Sequence, residues 1–278
     1  MDIQERAENF SIQAQKAKFP RSPRMRILEI SRFDIKKPKV EGLDQLPKTP
    51  CVVATTHLAD IDVPEVAQAL AGSRKIGIAS QETNLTNPLF APFVKAVGRD
   101  NFFPVTNSIT NGHVGYSLRM EDLDKMVEGI EVDGRTMIIA GHSPTRNWQL
   151  PNHPGIAAVI LAHKAKVPLV PAAVDIESKT PVAQSTDPLT RFKNFVTNNR
   201  PGAKIIFGKP MNLEEIPEDK LEAAIGLYSP DKRRAMSEDQ LSEAQETLRI
   251  LQAESEEMMR ALAEKLPPEK RGKWGQNE

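Results

Sequence analysis

The chain has 278 residues, of which 37 are basic and 37 acidic, so its formal net charge is zero and no global field favours nucleic acid as a partner. A hydrophobic fraction of 39% supplies a folded core, which excludes a chain disordered throughout. The single cysteine, Cys51, excludes an internal disulfide, the sequence lacks the run of about 18 apolar residues that spans a bilayer, and MDIQERAENF lacks the apolar centre of a signal peptide. The expected location is the cytoplasm, with membrane contact peripheral.

Residues 1–39 read as a basic arm. Lys16, Lys18, Arg21, Arg24, Arg26, Arg32, Lys36, Lys37 and Lys39 are interrupted only by Glu29 and Asp34, and Phe19, Met25, Ile27, Leu28, Ile30 and Phe33 lie among them. Such a segment suits an anionic membrane surface into which apolar groups insert; a solvated arm packed on its own domain accounts for the charge equally well.

Over residues 40–213 short apolar runs alternate with helical stretches. CVVATT, KIGIAS, TMIIAG, VPLVPAAV and AKIIFG are continuous in the way that strands covered on both faces require. VPEVAQALAG, PLFAPFVKAVG, EDLDKMVEGI and GIAAVILAHKA space their apolar residues three and four apart. Strand followed by helix, repeated, predicts an α/β fold with a mostly parallel central sheet flanked by helices. Phe90, Phe93, Phe102 and Phe103 have two readings, the lining of an apolar channel and core, and at such spacing most phenylalanines are core.

Residues 214–278 form an acidic, helical C-terminal extension. Ser237 followed by Gln240 predicts a capping box that opens a long helix with one docking face, ending near Leu266 before Pro267 and Pro268. KRGKWGQNE reads as a frayed tail that carries Trp274.

The chemistry sits after the first buried run. His57 directly follows CVVATT, Asp60 comes three residues later and Asp62 five, where the next helix begins. Ligands of parallel α/β sheets bind beyond the carboxyl ends of the strands, so an imidazole there faces the crevice. A nearby carboxylate fixes its tautomer and leaves the other nitrogen to take a proton from a hydroxyl. Asp60 or Asp62 as a simple helix cap is the competing reading of that fragment.

The segment VEGLDQLPKTPCVVATTHLADID resembles the first motif region of the lysophospholipid acyltransferases, the 1-acylglycerol-3-phosphate O-acyltransferase family, with its H-x4-D after a buried strand. NPLFAPFVKAVG is similar to the helix before that family's second block, PNHPGIAAVILAHKAKVPLVPAAV to its glycine-helix-strand region, and IIFGKPMNL to its closing strand. IIAGHSPTRN stands at the third motif, F-P-E-G-T-R. There Ser143, Pro144, Thr145 and Arg146 align with E-G-T-R, keeping the threonine and arginine but not the glutamate and glycine. The second block offers only Arg99, placed early, and His153 and Thr56 replace the family's usual lysine and asparagine.

The resemblance implies a glycerolipid acyltransferase-like fold. It also implies an O-acyltransferase that passes a fatty acyl chain from acyl-CoA or acyl carrier protein, as co-substrate, to a hydroxyl of a lysophospholipid or related lipid acceptor. His57 is then the catalytic base and Asp62 its orienting group, with Arg146, Thr145, Ser143 and Arg99 on the substrate. Arg146 is the anion contact, since guanidinium binds phosphate through two parallel hydrogen bonds. The rewritten third motif points to an acceptor other than lysophosphatidate.

Two other readings compete. Gly141, His142 and Ser143 begin the G-H-S-x-G elbow of an α/β-hydrolase, but Thr145 stands at the last glycine and Pro144 lacks the N–H that the oxyanion hole needs. A noncatalytic lipid-binding protein of the same fold is the alternative that the altered third motif admits. His113, His142, His153 and His163 lack metal-ligand spacing and the glycines form no phosphate loop, so neither metal nor cofactor is expected. Oligomeric state is not legible.

Overall fold

A computed structural model describes residues 35–59, 61–86, 91–110, 113–117, 120–145, 147–177 and 196–275. The strands are β1 (Lys39–Glu41), β2 (Val52–Thr55), β3 (Ile76–Gln81), β4 (Phe102–Thr110), β5 (His113–Ser117), β6 (Thr136–Ala140), β7 (Leu169–Ile176) and β8 (Ala203–Phe207). They form one sheet in the order β1-β8-β7-β2-β6-β3-β4-β5. The central five, β7 to β4, are mutually parallel. At the margins β8 runs antiparallel to β7, β1 parallel to β8, and β5 antiparallel to β4. The fold is therefore α/β with a mostly parallel sheet, as the strand and helix alternation requires.

Side chains alternate across the pleat, and each face gathers its own core. Val52 and Ala54 of β2, Met137 and Ile139 of β6 and Leu169 of β7 face one layer of helices. That layer holds α4 (Met120–Glu131), α5 (Ala157–Lys164), α6 (Glu218–Gly226) and α8 (Glu238–Glu264). Val53, Ile138 and Val170 face the other layer, where α1 (Asp62–Leu70) and α3 (Ala91–Val97) supply Val66, Leu70, Phe93 and Val94. Phe93 and Phe102 meet edge to face there, 5.7 Å between centroids, which makes both of them core. Two short helices, α2 (Glu82–Thr86) and α7 (Pro230–Ala235), complete the set.

The structure departs from the sequence reading at both ends. Of the basic arm, residues 1–34 lie outside the described residues. Ile35 is buried in the core, and Lys39–Glu41 extend the sheet as β1. At the other end the expected capping box is present: Ser237 Oγ accepts from the Gln240 amide and Gln240 Oε1 accepts from the Ser237 amide. α8 buries Leu251, Met258, Met259 and Leu262 against the sheet, and Glu254 accepts from His163 Nε2 of α5 at 2.6 Å and from the Glu214 amide at 2.7 Å.

The tail that follows is not frayed through Gly275. Lys270 is buried, its Nζ donating at 2.6 Å both to Asp175 Oδ1 and to the Ile176 carbonyl, and the Trp274 indole N–H donates to the Pro151 carbonyl at 2.8 Å. Buried polar groups with satisfied partners hold the segment where composition suggested fraying. Among the described residues no helix is long and apolar enough to cross a membrane.

Candidate active site

The carboxyl ends of β2 and β6 lie side by side, Thr55 level with Ala140. Past Thr55 the chain is still anchored to β7, because the Thr56 amide donates to the Ala172 carbonyl and Thr56 Oγ accepts from the Val174 amide. His57 comes next, half-buried. Its Nδ1 lies 3.2 Å from the Ala59 carbonyl, an atom that can only accept, so the contact calls for the hydrogen on Nδ1, and in the neutral ring the basic lone pair is on Nε2.

Asp62 opens α1 without capping it, for the N-cap position is Ile61 and no side chain serves there. Its carboxylate turns back instead, and Oδ2 accepts the Leu58 amide at 2.8 Å. The contact pins the loop that carries the imidazole and its carbonyl partner. Asp62 is fully buried, and burial pushes its carboxyl from the ordinary 3.8 to about 7. The Leu58 and Ala59 amides, the Thr56 hydroxyl and the charge of Lys270 oppose that shift.

The loop after β6 grips His57 from the other side. The His57 amide donates to His142 Nε2 at 3.1 Å, and the His57 carbonyl accepts from the Thr145 amide at 3.3 Å. His142 Nδ1 in turn reaches the Ser143 carbonyl at 2.7 Å. Burial lowers the His142 imidazole to about 4, with the Ser143 carbonyl opposing and the nearby His57 charge adding to the effect. Gly155 comes close beneath: its amide donates to the Gly141 carbonyl, and a Cβ there would sit 2.8 Å from that oxygen. α8 also closes on Gly141, where a Cβ would meet Leu262 and Met258 at 3.2 Å.

His57, Asp62, Thr145 and the exposed Ser143 thus converge on one end of the sheet. Arg146 and Asp60 lie outside the described residues. Arg99 does not join the group. It is exposed at the amino-terminal side of β4, whose Phe102 is level with Ile78, whereas His57 follows the carboxyl-terminal end of β2; the register puts them at opposite edges of the sheet.

β6 leads into a loop and not directly into a helix, α5 beginning only at Ala157, which is unlike a nucleophile elbow. No group of three or more potential metal ligands occurs among the described residues. Sequence reasoning did not find His142, Thr56 and Lys270 as parts of this site. His142 carried a signal in hindsight, since it follows a buried strand as His57 does.

No family model matches the sequence, and no curated protein does. Among solved structures, the 1-acyl-sn-glycerophosphate (LPA) acyltransferase PlsC from Thermotoga maritima is similar at a TM-score of 0.44 and 13% identity, over 90% of this chain and 88% of that one. A likeness of that extent transfers neither activity nor site residues.

Proposed function

We propose that the chain is an O-acyltransferase in which His57 is the general base. The supporting observation is the contact of His57 Nδ1 with the Ala59 carbonyl at 3.2 Å, at the carboxyl end of a parallel sheet: a carbonyl accepts, so in the neutral ring the hydrogen is on Nδ1 and Nε2 is the basic nitrogen. In this reading Nε2 takes the proton of an acceptor hydroxyl, and the freed oxygen attacks the carbonyl carbon of an acyl thioester. The carbon–sulfur bond breaks, and the imidazolium returns the proton to the departing thiolate. No acyl-enzyme is formed. Asp62 keeps the loop in place through the Leu58 amide, and Arg146 binds the anionic group of the acceptor.

The donor is acyl-CoA or acyl carrier protein, and the acceptor a lysophospholipid or related glycerolipid whose headgroup need not be that of lysophosphatidate. The basic segment before residue 40 holds the protein on an anionic membrane surface. The test is incubation of purified protein with a labelled acyl thioester and a panel of lysophospholipids, glycerol phosphate and glycolipids. Transfer to one of them is expected, with a loss of ~10²–10⁴-fold in His57→Ala. Undiminished transfer by His57→Ala would overturn the assignment. Thioester loss to water alone would favour a hydrolase, and lipid binding without turnover a noncatalytic protein.

A further inference from the structure

The hydrogen-bond ladder between β2 and β6 breaks at an informative place. Amides of β6 donate to β2 at every second residue, Met137 to the Cys51 carbonyl and Gly141 to the Thr55 carbonyl. In a regular parallel ladder the His57 amide would continue the reverse series by donating to the Gly141 carbonyl. That carbonyl is taken by the Gly155 amide at 2.8 Å, and the His57 amide donates to His142 Nε2 instead. An imidazole side chain has replaced a backbone acceptor at the residue where β2 leaves the sheet.

We propose that His142 is the positioning residue for His57, a side-chain acceptor that fixes the main chain of the general base and ties it to the third-motif loop. The inference rests on the reading of His57 given above. The bonding pattern dictates the residue type. The acceptor must span from β6 to the His57 amide, remain uncharged where it is buried, and have its plane fixed. Histidine meets all three conditions here: Nε2 accepts from His57, Nδ1–H donates to the Ser143 carbonyl, and the ring is almost fully buried. With the Thr145 amide on the His57 carbonyl, both polar groups of the His57 backbone are set by residues 142–145. A base displaced by about 1 Å loses on the order of a hundredfold in rate, so this clamp acts on turnover more than on substrate affinity.

The test compares His142→Phe with His142→Gln, whose Oε1 can occupy the place of Nε2 as an acceptor. Transfer of a labelled acyl thioester to its acceptor is followed alongside two-dimensional ¹H–¹⁵N NMR of the His57 amide and of the imidazole nitrogens. His142→Phe is expected to lower kcat by roughly 10- to 100-fold with KM changed less than about twofold, and His142→Gln to recover most of the loss. The His57 amide resonance moves in the first variant and returns towards its wild-type position in the second, and wild-type His142 is the Nδ1–H tautomer. Equal kcat in His142→Phe and wild type, or an equal loss in both variants, would overturn the proposal, as would an Nε2–H tautomer in wild type should either variant fail to fold. If His57→Ala keeps full activity the proposed function fails, while the amide and tautomer readouts still judge the clamp.

Discussion

Replacing Asp62 by asparagine separates what this carboxyl does for the fold from what it does for the site. The group is fully buried, and its folded-state pKa is about 7 against an ordinary 3.8. A raised carboxyl pKa means that the folded chain holds a proton that the unfolded chain has released. Its contribution to stability is therefore complete below the unfolded value and is lost as pH rises through the folded one. The shift of about three units corresponds to ~4 kcal/mol lost between about pH 4 and just above pH 7. Asparagine retains an oxygen for the Leu58 amide and does not ionise, so it escapes the penalty. Urea unfolding of both proteins is expected to show Asp62→Asn gaining ~2.5 kcal/mol on wild type between about pH 5 and pH 8. Above about pH 7, where the carboxyl is ionised, transfer by the same variant falls, because the loop that holds His57 loses a charge-assisted bond to a backbone amide. A stability difference that stays constant over this pH range would show that Asp62 is ionised throughout, and the reasoning would fail.

Two further perturbations test the buried polar pairs that tie down the carboxyl-terminal segment. Glu254→Ala removes the shared acceptor of His163 and the Glu214 amide; urea unfolding is expected to show a loss of ~3 kcal/mol, and a change under about 1 kcal/mol would refute it. Lys270→Met leaves the Asp175 carboxylate without its buried cation and costs ~3 kcal/mol in the same assay. It also removes a charge that holds Asp62 down, so the pH window separating Asp62→Asn from its parent moves upward when both carry Lys270→Met. An unmoved window would mean that Lys270 does not act on Asp62.

The parts of this fold that were legible are those whose physics is local. β2, β3, β6, β7 and β8 are continuous apolar runs because each is covered on a face or both, and Ser237 with Gln240 specifies a helix start within four residues. β1, β4 and β5 lie towards or at the margins of the sheet, where strands need no such run; FFPVTNSIT and HVGYS interleave polar residues accordingly. His57 and Asp62 stand out in the sequence because they follow a legible strand. Lys270 was not, because its partners Asp175 and Ile176 lie more than ninety residues away along the chain. Arg99 is grouped with the site by its place in a sequence block, whereas in the structure it precedes the amino-terminal end of β4.

The supports of the site come from three separated parts of the chain, and each adds a different physical element. The β2 exit supplies the imidazole, with a backbone carbonyl to set its tautomer. The β6 exit supplies a neutral acceptor and a donor that fix the imidazole's own main chain. The far carboxyl-terminal segment supplies a cation that bears on Asp62, and α8 packs directly on Gly141. A carboxyl that stays wholly buried with a pKa near neutrality is a standing cost to stability, one that an apolar or amide side chain would avoid. Its bond to the Leu58 amide fixes the loop that carries His57, so under the proposed acyltransferase reading that cost falls on the segment that holds the base.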